Sequence, residues 1–231
     1  MDSGVPAGAS SSASAKEYLP LRMTIRELEQ TAPGVWKITP AGGSAFFLRE
    51  DYLSSLSARQ LEEARLSPSP SELSESQSGD LLSAALCYAA EQLAMASLAR
   101  SEQCRRSLAS KLCRKGLADR DIQAALDYLE GAGCLDDRRF AGAWLRSRSI
   151  HHAEGRLRLG AELAARGIDR DDAEDALDEF FSEHDEYELC RKALAKVWKG
   201  DQDKAVRSLM RKGFTMAQIR AAMAGEDGLP A

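Results

Sequence analysis

The sequence contains no proline between Pro70 and Pro230. Proline breaks or kinks helices, so only Gly and Asp are left to interrupt them over this long stretch. From Asp80 onward the chain also lacks strand-like alternation and runs of β-branched residues, and Ala, Leu, Arg and Glu recur there at helical spacing. These absences predict that the C-terminal two-thirds of the chain is helical.

Features of disulfide-bonded, metal-binding and membrane proteins are also missing. The five cysteines are an odd number without a C-x-x-C pair, which argues against a disulfide framework or a zinc site and favours small buried residues. No apolar run approaches the ~18 residues that span a bilayer. The first 16 residues lack the basic start and apolar core of a signal peptide. We therefore expect a cytoplasmic protein without membrane contact.

Signatures of catalysis are missing as well. No phosphate loop, nucleophile elbow or nucleotide fingerprint occurs. Asp136-Asp137 resembles a carboxylate pair, but adjacent residues at a helix start point in different directions, which favours helix capping. His151-His152 has no third ligand nearby, which disfavours a metal site. The sequence therefore predicts no enzyme, no cofactor and no metal.

The N-terminal part differs from the rest of the chain. Residues 1–18 predict a disordered tail, and residues 67–79, rich in Ser and Pro, predict a linker. Between them, residues 19–66 predict a small β-rich region that ends in a helix, with turns at Pro33-Gly34 and Gly42-Gly43. The expected strands and helix cover residues 21–28, 35–38, 45–48 and 52–66.

One short motif occurs three times in the helical part. It is L-x-x-[KR]-G-apolar, followed by apolar residues six, nine and ten places after the Gly. The glycines lie 51 and 46 residues apart, a spacing typical of tandem helical modules. The three copies begin at Leu112, Leu163 and Leu209.

Each part of the motif has a physical role. The Lys or Arg lies in the last turn of a helix, where the macrodipole favours positive charge, and the Gly takes the left-handed conformation that ends the helix. Asp119, Asp169 or Thr215 is then expected to cap the next helix. With one helix upstream of each pair, the chain predicts three-helix repeats at residues 80–134, 135–183 and 184–231.

These residues resemble the RecX family of bacterial regulators of the RecA recombinase. The resemblance lies in Lys111-Leu112 with Lys115-Gly116, in Gly133-x-Leu135-Asp136-Asp137 with Phe140-Ala141, and in Gly155-Arg156 leading to Arg166-Gly167-Ile168. It continues through Lys204 to Arg211-Lys212-Gly213-Phe214. The resemblance covers residues 81–224. It implies a mainly α fold, with three tandem three-helix repeats in a curved, elongated array and a small β-sheet extension at the N-terminus.

The resemblance also implies a function. RecX-like proteins bind the RecA–DNA filament and modulate, usually by inhibition, strand exchange, ATP hydrolysis and coprotease activity in recombinational repair and the SOS response. Neither catalysis nor a cofactor is implied. The implied partner is the RecA nucleoprotein filament. We expect the chain itself to act as a monomer whose direct contact with DNA, if any, is weak.

The charge pattern suggests which residues contact that partner. The chain has a net charge of −5, but residues 100–170 hold 15 Lys and Arg against 10 Asp and Glu, and residues 171–188 hold 10 acids and no Lys or Arg. Residues 189–220 hold 9 Lys and Arg against 2 acids. A basic face is suited to an acidic filament groove or to phosphates. The candidate binding residues are Arg100, Arg105, Arg106, Lys111, Arg114, Lys115, Arg138, Arg139, Arg146, Arg148, Arg156, Arg158, Arg166, Lys204, Arg207, Arg211 and Lys212.

Two other functions stay open at this point. The helix-turn-helix-like modules could bind DNA directly, with a steep dependence on salt, although the net charge of −5 disfavours tight binding to bare DNA. Alternatively, the chain is a helical scaffold for a different protein. For any single basic residue, an ordinary solvated helix surface is the simpler interpretation.

Overall fold

The computed structural model describes residues 22–67 and 71–224. The chain forms two compact units that divide between Ala84 and Ala85. As predicted, the protein is mainly helical and carries a small antiparallel sheet near its N-terminus. The predicted tail at residues 1–18 lies outside the described residues.

The sheet of the first unit has the strand order β3-β2-β1-β4. Its core is formed by the buried side chains of Ile25, Trp36, Ile38 and Leu48. Gly34 takes a φ of +70°, which allows the tight turn between the first two strands. The sequence predicted three of the four strands, which are β1 (Thr24–Ala32), β2 (Val35–Pro40), β3 (Phe46–Arg49) and β4 (Ser71–Glu72).

The linker predicted at residues 67–79 is wrong from Ser71 onward. β4 pairs with β1, and a helix begins at Glu75. Serine suggested a linker, but here its hydroxyls satisfy backbone groups: Ser74 Oγ accepts from Gln77 N at 3.2 Å, and Ser78 Oγ accepts from Met23 N at 3.0 Å. These residues are therefore part of the folded first unit, and residues 68–70 lie outside the described part.

Ten α-helices are present in the described residues. The first begins later than predicted, because Ser57 and Gln60 form a capping box there, and residues 50–52 form a short 3-10 turn instead. The helices are α1 (Ala58–Leu66), α2 (Glu75–Leu98), α3 (Arg105–Cys113), α4 (Asp119–Gly131), α5 (Asp137–Ser149), α6 (Arg156–Ala165), α7 (Arg170–Glu183), α8 (Glu186–Val197), α9 (Gln202–Arg211) and α10 (Met216–Ala224).

Helix α2 corrects the expectation that no apolar stretch of the sequence approaches the length needed to span a membrane. It has 24 residues, and an 18-residue window within it has a mean hydropathy of 1.4, so it is long and apolar enough to cross a membrane by length and composition. However, Leu81, Ala84, Ala90 and Ala94 on this helix are buried, and core helices of globular proteins pass the same test of length and composition. The buried face therefore supports the interpretation of α2 as a core helix.

The second unit contains the three repeats, in which the helix pairs α3/α4, α6/α7 and α9/α10 each surround a Gly turn. Gly116, Gly167 and Gly213 all have φ between +81° and +87°, as the motif predicts. Asp169 caps α7, and Thr215 Oγ1 accepts from Gln218 N at the start of α10. The prediction that Asp119 caps α4 is wrong, because Ala118 takes the cap position and has no side-chain acceptor.

Consecutive repeats meet where a backbone carbonyl of the later repeat accepts from the residue that precedes a helix of the earlier repeat. In the first joint, the residue before α3, Cys104, contacts the carbonyl of Arg166 at 3.5 Å through its sulfur. In the second joint, the residue before α6, Gly155, donates its N–H to the carbonyl of Lys212 at 2.9 Å. Both carbonyls belong to the residue just before the motif Gly.

The cysteines largely follow the prediction of burial, but Cys113 is exposed and Cys134 is half-buried.

Candidate partner-binding surface

The basic side chains proposed as a binding surface fall into three groups. The first group is engaged in ion pairs within the protein. Arg105, at the start of α3, shows the strongest case: its guanidinium contacts Glu130 Oε2 at 2.6 Å, Asp127 Oδ1 at 2.7 Å and Gln123 Oε1 at 2.7 Å. Only 27% of this side chain is exposed. Arg105 therefore holds α3 against α4.

Three more arginines bridge separate elements. Arg138 pairs with Asp175 at 2.8 Å, and Arg139 pairs with Glu102 at 2.6 Å. Arg156 pairs with Asp178. The acidic stretch in α7 thus neutralises Arg138 and Arg156, which removes much of the positive face that the sequence predicted for the second repeat.

A further network surrounds Trp144 on α5. The guanidinium carbons of Arg166 and Arg148 lie 4.4 and 5.4 Å from the centre of its ring, within the range of cation–π attraction. Arg148 also pairs with Glu154 at 2.6 Å. Arg166 and Arg158 both pair with Glu162, at 2.8 and 2.6 Å. These side chains stabilise the second repeat.

In this network, opposing effects act on the pKa of Glu154. Its side chain is buried, and burial alone would raise the pKa of this carboxyl. The Arg148 hydrogen bond and the nearby positive charges, Lys212 among them, lower the pKa of Glu154 overall. Glu154 thus stays ionised and holds Arg148 in place.

Other candidates are held more loosely by neighbouring groups. Lys111 donates to Gln103 Oε1 at 2.5 Å, and Lys204 pairs with Asp201 one helical turn earlier. Arg106 donates to the Ala165 carbonyl at 3.4 Å, at the joint between the first two repeats. Arg100 and Arg114 contact only Ser97 Oγ and the Ser110 carbonyl among the described residues, at 3.5 and 3.3 Å.

The third group has neither an ion pair nor a side-chain hydrogen bond among the described residues. Lys115, Arg146, Arg207 and Arg211 are exposed, whereas Lys212 is half-buried near Glu154. Together with Arg100 and Arg114, most of these residues lie in the first and third repeats. The free positive charge is therefore unevenly distributed among the repeats, and the second repeat contributes only Arg146.

Helix α9 combines free charge with an exposed apolar side chain. Arg207 and Arg211 lie one turn apart, and both line a small pocket together with Met210. Met210 is 52% exposed. Because a methionine is flexible and polarisable, it can adapt to a partner's surface. The combination suits a protein surface that carries acidic and apolar groups.

Sequence reasoning also missed several basic residues of the third repeat. Lys192, Lys196, Lys199 and Arg220 are exposed but are not among the candidate binding residues. The excess of Lys and Arg over residues 189–220 was the signal that could have identified them.

Comparison with known families gives a consistent result. The family model described as "RecX, second three-helix domain" matches residues 136–177. The "Regulatory protein RecX" of Treponema pallidum (strain Nichols) is 37% identical over 154 residues, which cover 66% of this chain and 94% of that protein. The protein of the same name from Halorhodospira halophila is 33% identical over 148 residues, which cover 60% of this chain and 89% of that protein.

Two solved structures share the fold. A crystal structure of a regulatory protein RecX superposes with a TM-score of 0.68 and 22% sequence identity, covering 87% of this chain and 99% of that one. The crystal structure of RecX from Lactobacillus salivarius gives a TM-score of 0.55 at 20% identity, covering 62% of this chain and 98% of that one. At these identities the likeness is evidence for the fold alone.

Proposed function

This chain belongs to the RecX family of regulatory proteins, and from that premise we propose that it binds the RecA–DNA filament and inhibits strand exchange, ATP hydrolysis and coprotease activity. The observation that carries the proposal is the similarity to curated RecX proteins over almost their whole length. Its place of action is the cytoplasm, where it acts as a monomer in recombinational repair and the SOS response.

The distribution of free charge supports a protein–DNA filament as the target. Arg114 and Lys115 in the first repeat, and Arg207 and Arg211 in the third, have no acidic partner among the described residues. Filaments of protein and DNA expose both phosphates and acidic side chains, which attract such groups. Met210 adds an apolar contact to the third repeat.

The test measures RecA-catalysed ATP hydrolysis and strand exchange on single-stranded DNA, with the full chain added at stoichiometric and excess amounts. We expect both rates to fall as the chain is added. Unchanged rates at excess protein would contradict the proposal. The full chain is required, because Ser78 and Asp80 on α2 contribute to the first unit and a truncation at residue 80 would damage it.

Direct DNA binding remains the alternative. It predicts retention of bare DNA on a filter with an affinity that falls steeply as salt rises. Tight binding to bare DNA, together with no effect on RecA when DNA is in excess, would favour that alternative.

A further inference from the structure

All three histidines of the chain lie around one cleft in the second unit. His151 and His152 follow the end of α5, and His184 follows the end of α7. Lys192 and Lys196 on α8 complete the rim of this cleft, which has a volume of about 540 Å³. We propose that it binds an acidic peptide segment of a partner protein, and we call it the histidine cleft.

The charged side chains that line the histidine cleft are all basic or imidazole groups. No acidic side chain lines it among the described residues. Of the carboxylates close to it in sequence, Glu154 pairs with Arg148, Glu188 pairs with Arg191 and Asp185 caps α8. Glu183, next to His184, is exposed and has no ion pair among the described residues. A ligand carboxylate entering the cleft meets the two ammonium groups and three imidazoles that line it.

One of the imidazoles is held in a fixed orientation. His184 Nδ1 lies 2.9 Å from the Phe180 carbonyl, and because a carbonyl only accepts, Nδ1 carries the hydrogen. The His184 ring also stacks on Phe180, with ring centres 4.2 Å apart. This arrangement leaves Nε2 as the ring atom available to a ligand.

The floor of the histidine cleft favours a peptide over a nucleic-acid backbone. Ile150, which is 72% exposed, and Leu189, Ala153 and Ala195 supply an apolar lining. A phosphodiester backbone has no side chains to place on such a floor. A peptide that carries both carboxylates and apolar side chains matches both parts of the cleft.

The proposal goes beyond the RecA-directed function and does not depend on it. The histidine cleft is separate from the arginine pair on α9. Peptide binding at the histidine cleft can be measured without RecA. A negative result for peptide binding would therefore not contradict the proposed regulation of RecA, and the reverse also holds.

The imidazole C–H resonances provide a direct readout, because the chain's only three histidines all lie at the cleft. The full chain is titrated with a Glu-rich peptide that carries spaced Leu residues. We expect saturable shifts of all three resonances. A peptide with Lys in place of Glu should leave them unchanged.

Charge-reversed variants test the lysines. K192E/K196E should weaken binding of the acidic peptide by about tenfold, whereas K199E/R220E makes the same charge change at exposed positions outside the cleft and should have little effect. Circular dichroism checks that both variants fold. Equal weakening in both variants, or no shifts with the wild-type chain, would overturn the proposal. Equal or tighter binding of a single-stranded oligonucleotide at the same resonances would assign the cleft to nucleic acid and overturn it as well.

Discussion

The N–H of Gly155 donates to the carbonyl of Lys212 at 2.9 Å. This bond joins the start of α6 in the second repeat to the Gly turn of the third. A Cβ at Gly155 would lie 2.4 Å from the carbonyl oxygen of Gly213, and a Cβ at Gly213 would lie 2.2 Å from the Arg158 nitrogen. Both glycines are therefore required by the close approach of two backbones, in addition to the left-handed φ of Gly213.

Gly213→Ala should destabilise the protein more than Gly116→Ala. The φ angles of the two residues are nearly equal, at +87° for Gly213 and +85° for Gly116. However, a Cβ at Gly116 would have no neighbour within 4 Å. We expect Gly116→Ala to cost about 1–2 kcal/mol of unfolding free energy from backbone strain. Gly213→Ala should cost roughly a further 1–3 kcal/mol because the joint must move apart. Urea denaturation measures both, and equal losses would show that the joint adds no stability.

The sequence predicted the repeat because the motif depends on residues that are neighbours in the chain. The Lys or Arg, the Gly and the apolar residue after it are fixed by how one helix ends and the next begins, and Gly116, Gly167 and Gly213 all adopt the predicted conformation. The joint between Gly155 and Lys212 was not predictable, because it depends on how separate repeats pack. The strand Ser71–Glu72 was missed for a similar reason, since its pairing partner lies far away in β1.

The candidate binding surface also depends on contacts between residues far apart in the chain, which the sequence does not reveal. Composition identified the basic stretches, but it could not distinguish Arg105, which is held by Asp127 and Glu130, from Arg207, which is free among the described residues. The acidic partners of Arg105 lie 22 and 25 residues away along the chain. Pairings at such distances are decided by packing, so charge counts alone overestimate the free surface.

Arg105→Ala should therefore reduce stability, whereas Lys115→Ala should not. Removing Arg105 leaves Asp127 and Glu130 without their partner and breaks three hydrogen bonds between α3 and α4. We expect a loss of about 1–2 kcal/mol in unfolding free energy for Arg105→Ala. Lys115 is exposed, and its substitution should change stability by less than about 0.5 kcal/mol. The same denaturation experiment compares them, and similar values for the two variants would refute the assignment of Arg105 to a structural role.

Asp80 should make stability depend on pH in the acid range. Burial alone would raise the pKa of this carboxyl, but hydrogen bonds from the side chain of Ser54 and the backbone of Ser54, Ser55 and Leu56 lower the pKa to about 2 from its usual 3.8. Because the folded-state pKa is depressed, the stabilisation is complete well above pH 3.8 and is lost as pH falls through about 2.

The matched comparison is Asp80→Asn across pH. At pH 7 we expect the variant to be less stable by about 1–2 kcal/mol, a value that allows for solvent screening. The difference between the two proteins should shrink as pH falls toward 2, where the wild-type carboxyl takes up its proton. A difference that stays constant from pH 7 to pH 2 would mean that the charge of Asp80 is not what stabilises the Ser54–Leu56 segment.

Charge reversal in the free group should weaken the proposed inhibition of RecA without affecting the fold. Arg207→Glu/Arg211→Glu places acids beside Met210 on an exposed face of α9, where no ion pair among the described residues is broken. We expect the concentration of protein needed for half-inhibition of ATP hydrolysis to rise by about tenfold or more. Arg114→Glu/Lys115→Glu should act similarly at the turn of the first repeat.

The control reverses charges in the acidic stretch of the second repeat. Asp171→Lys/Glu179→Lys changes two exposed acids on α7 and leaves the Asp175 and Asp178 pairs with Arg138 and Arg156 intact. This variant should inhibit as the wild type does, because the second repeat contributes little free positive charge to the surface. If the α7 variant lost as much inhibition as the α9 variant, contact would extend evenly over the repeats, and the concentration of binding in the first and third repeats would be wrong.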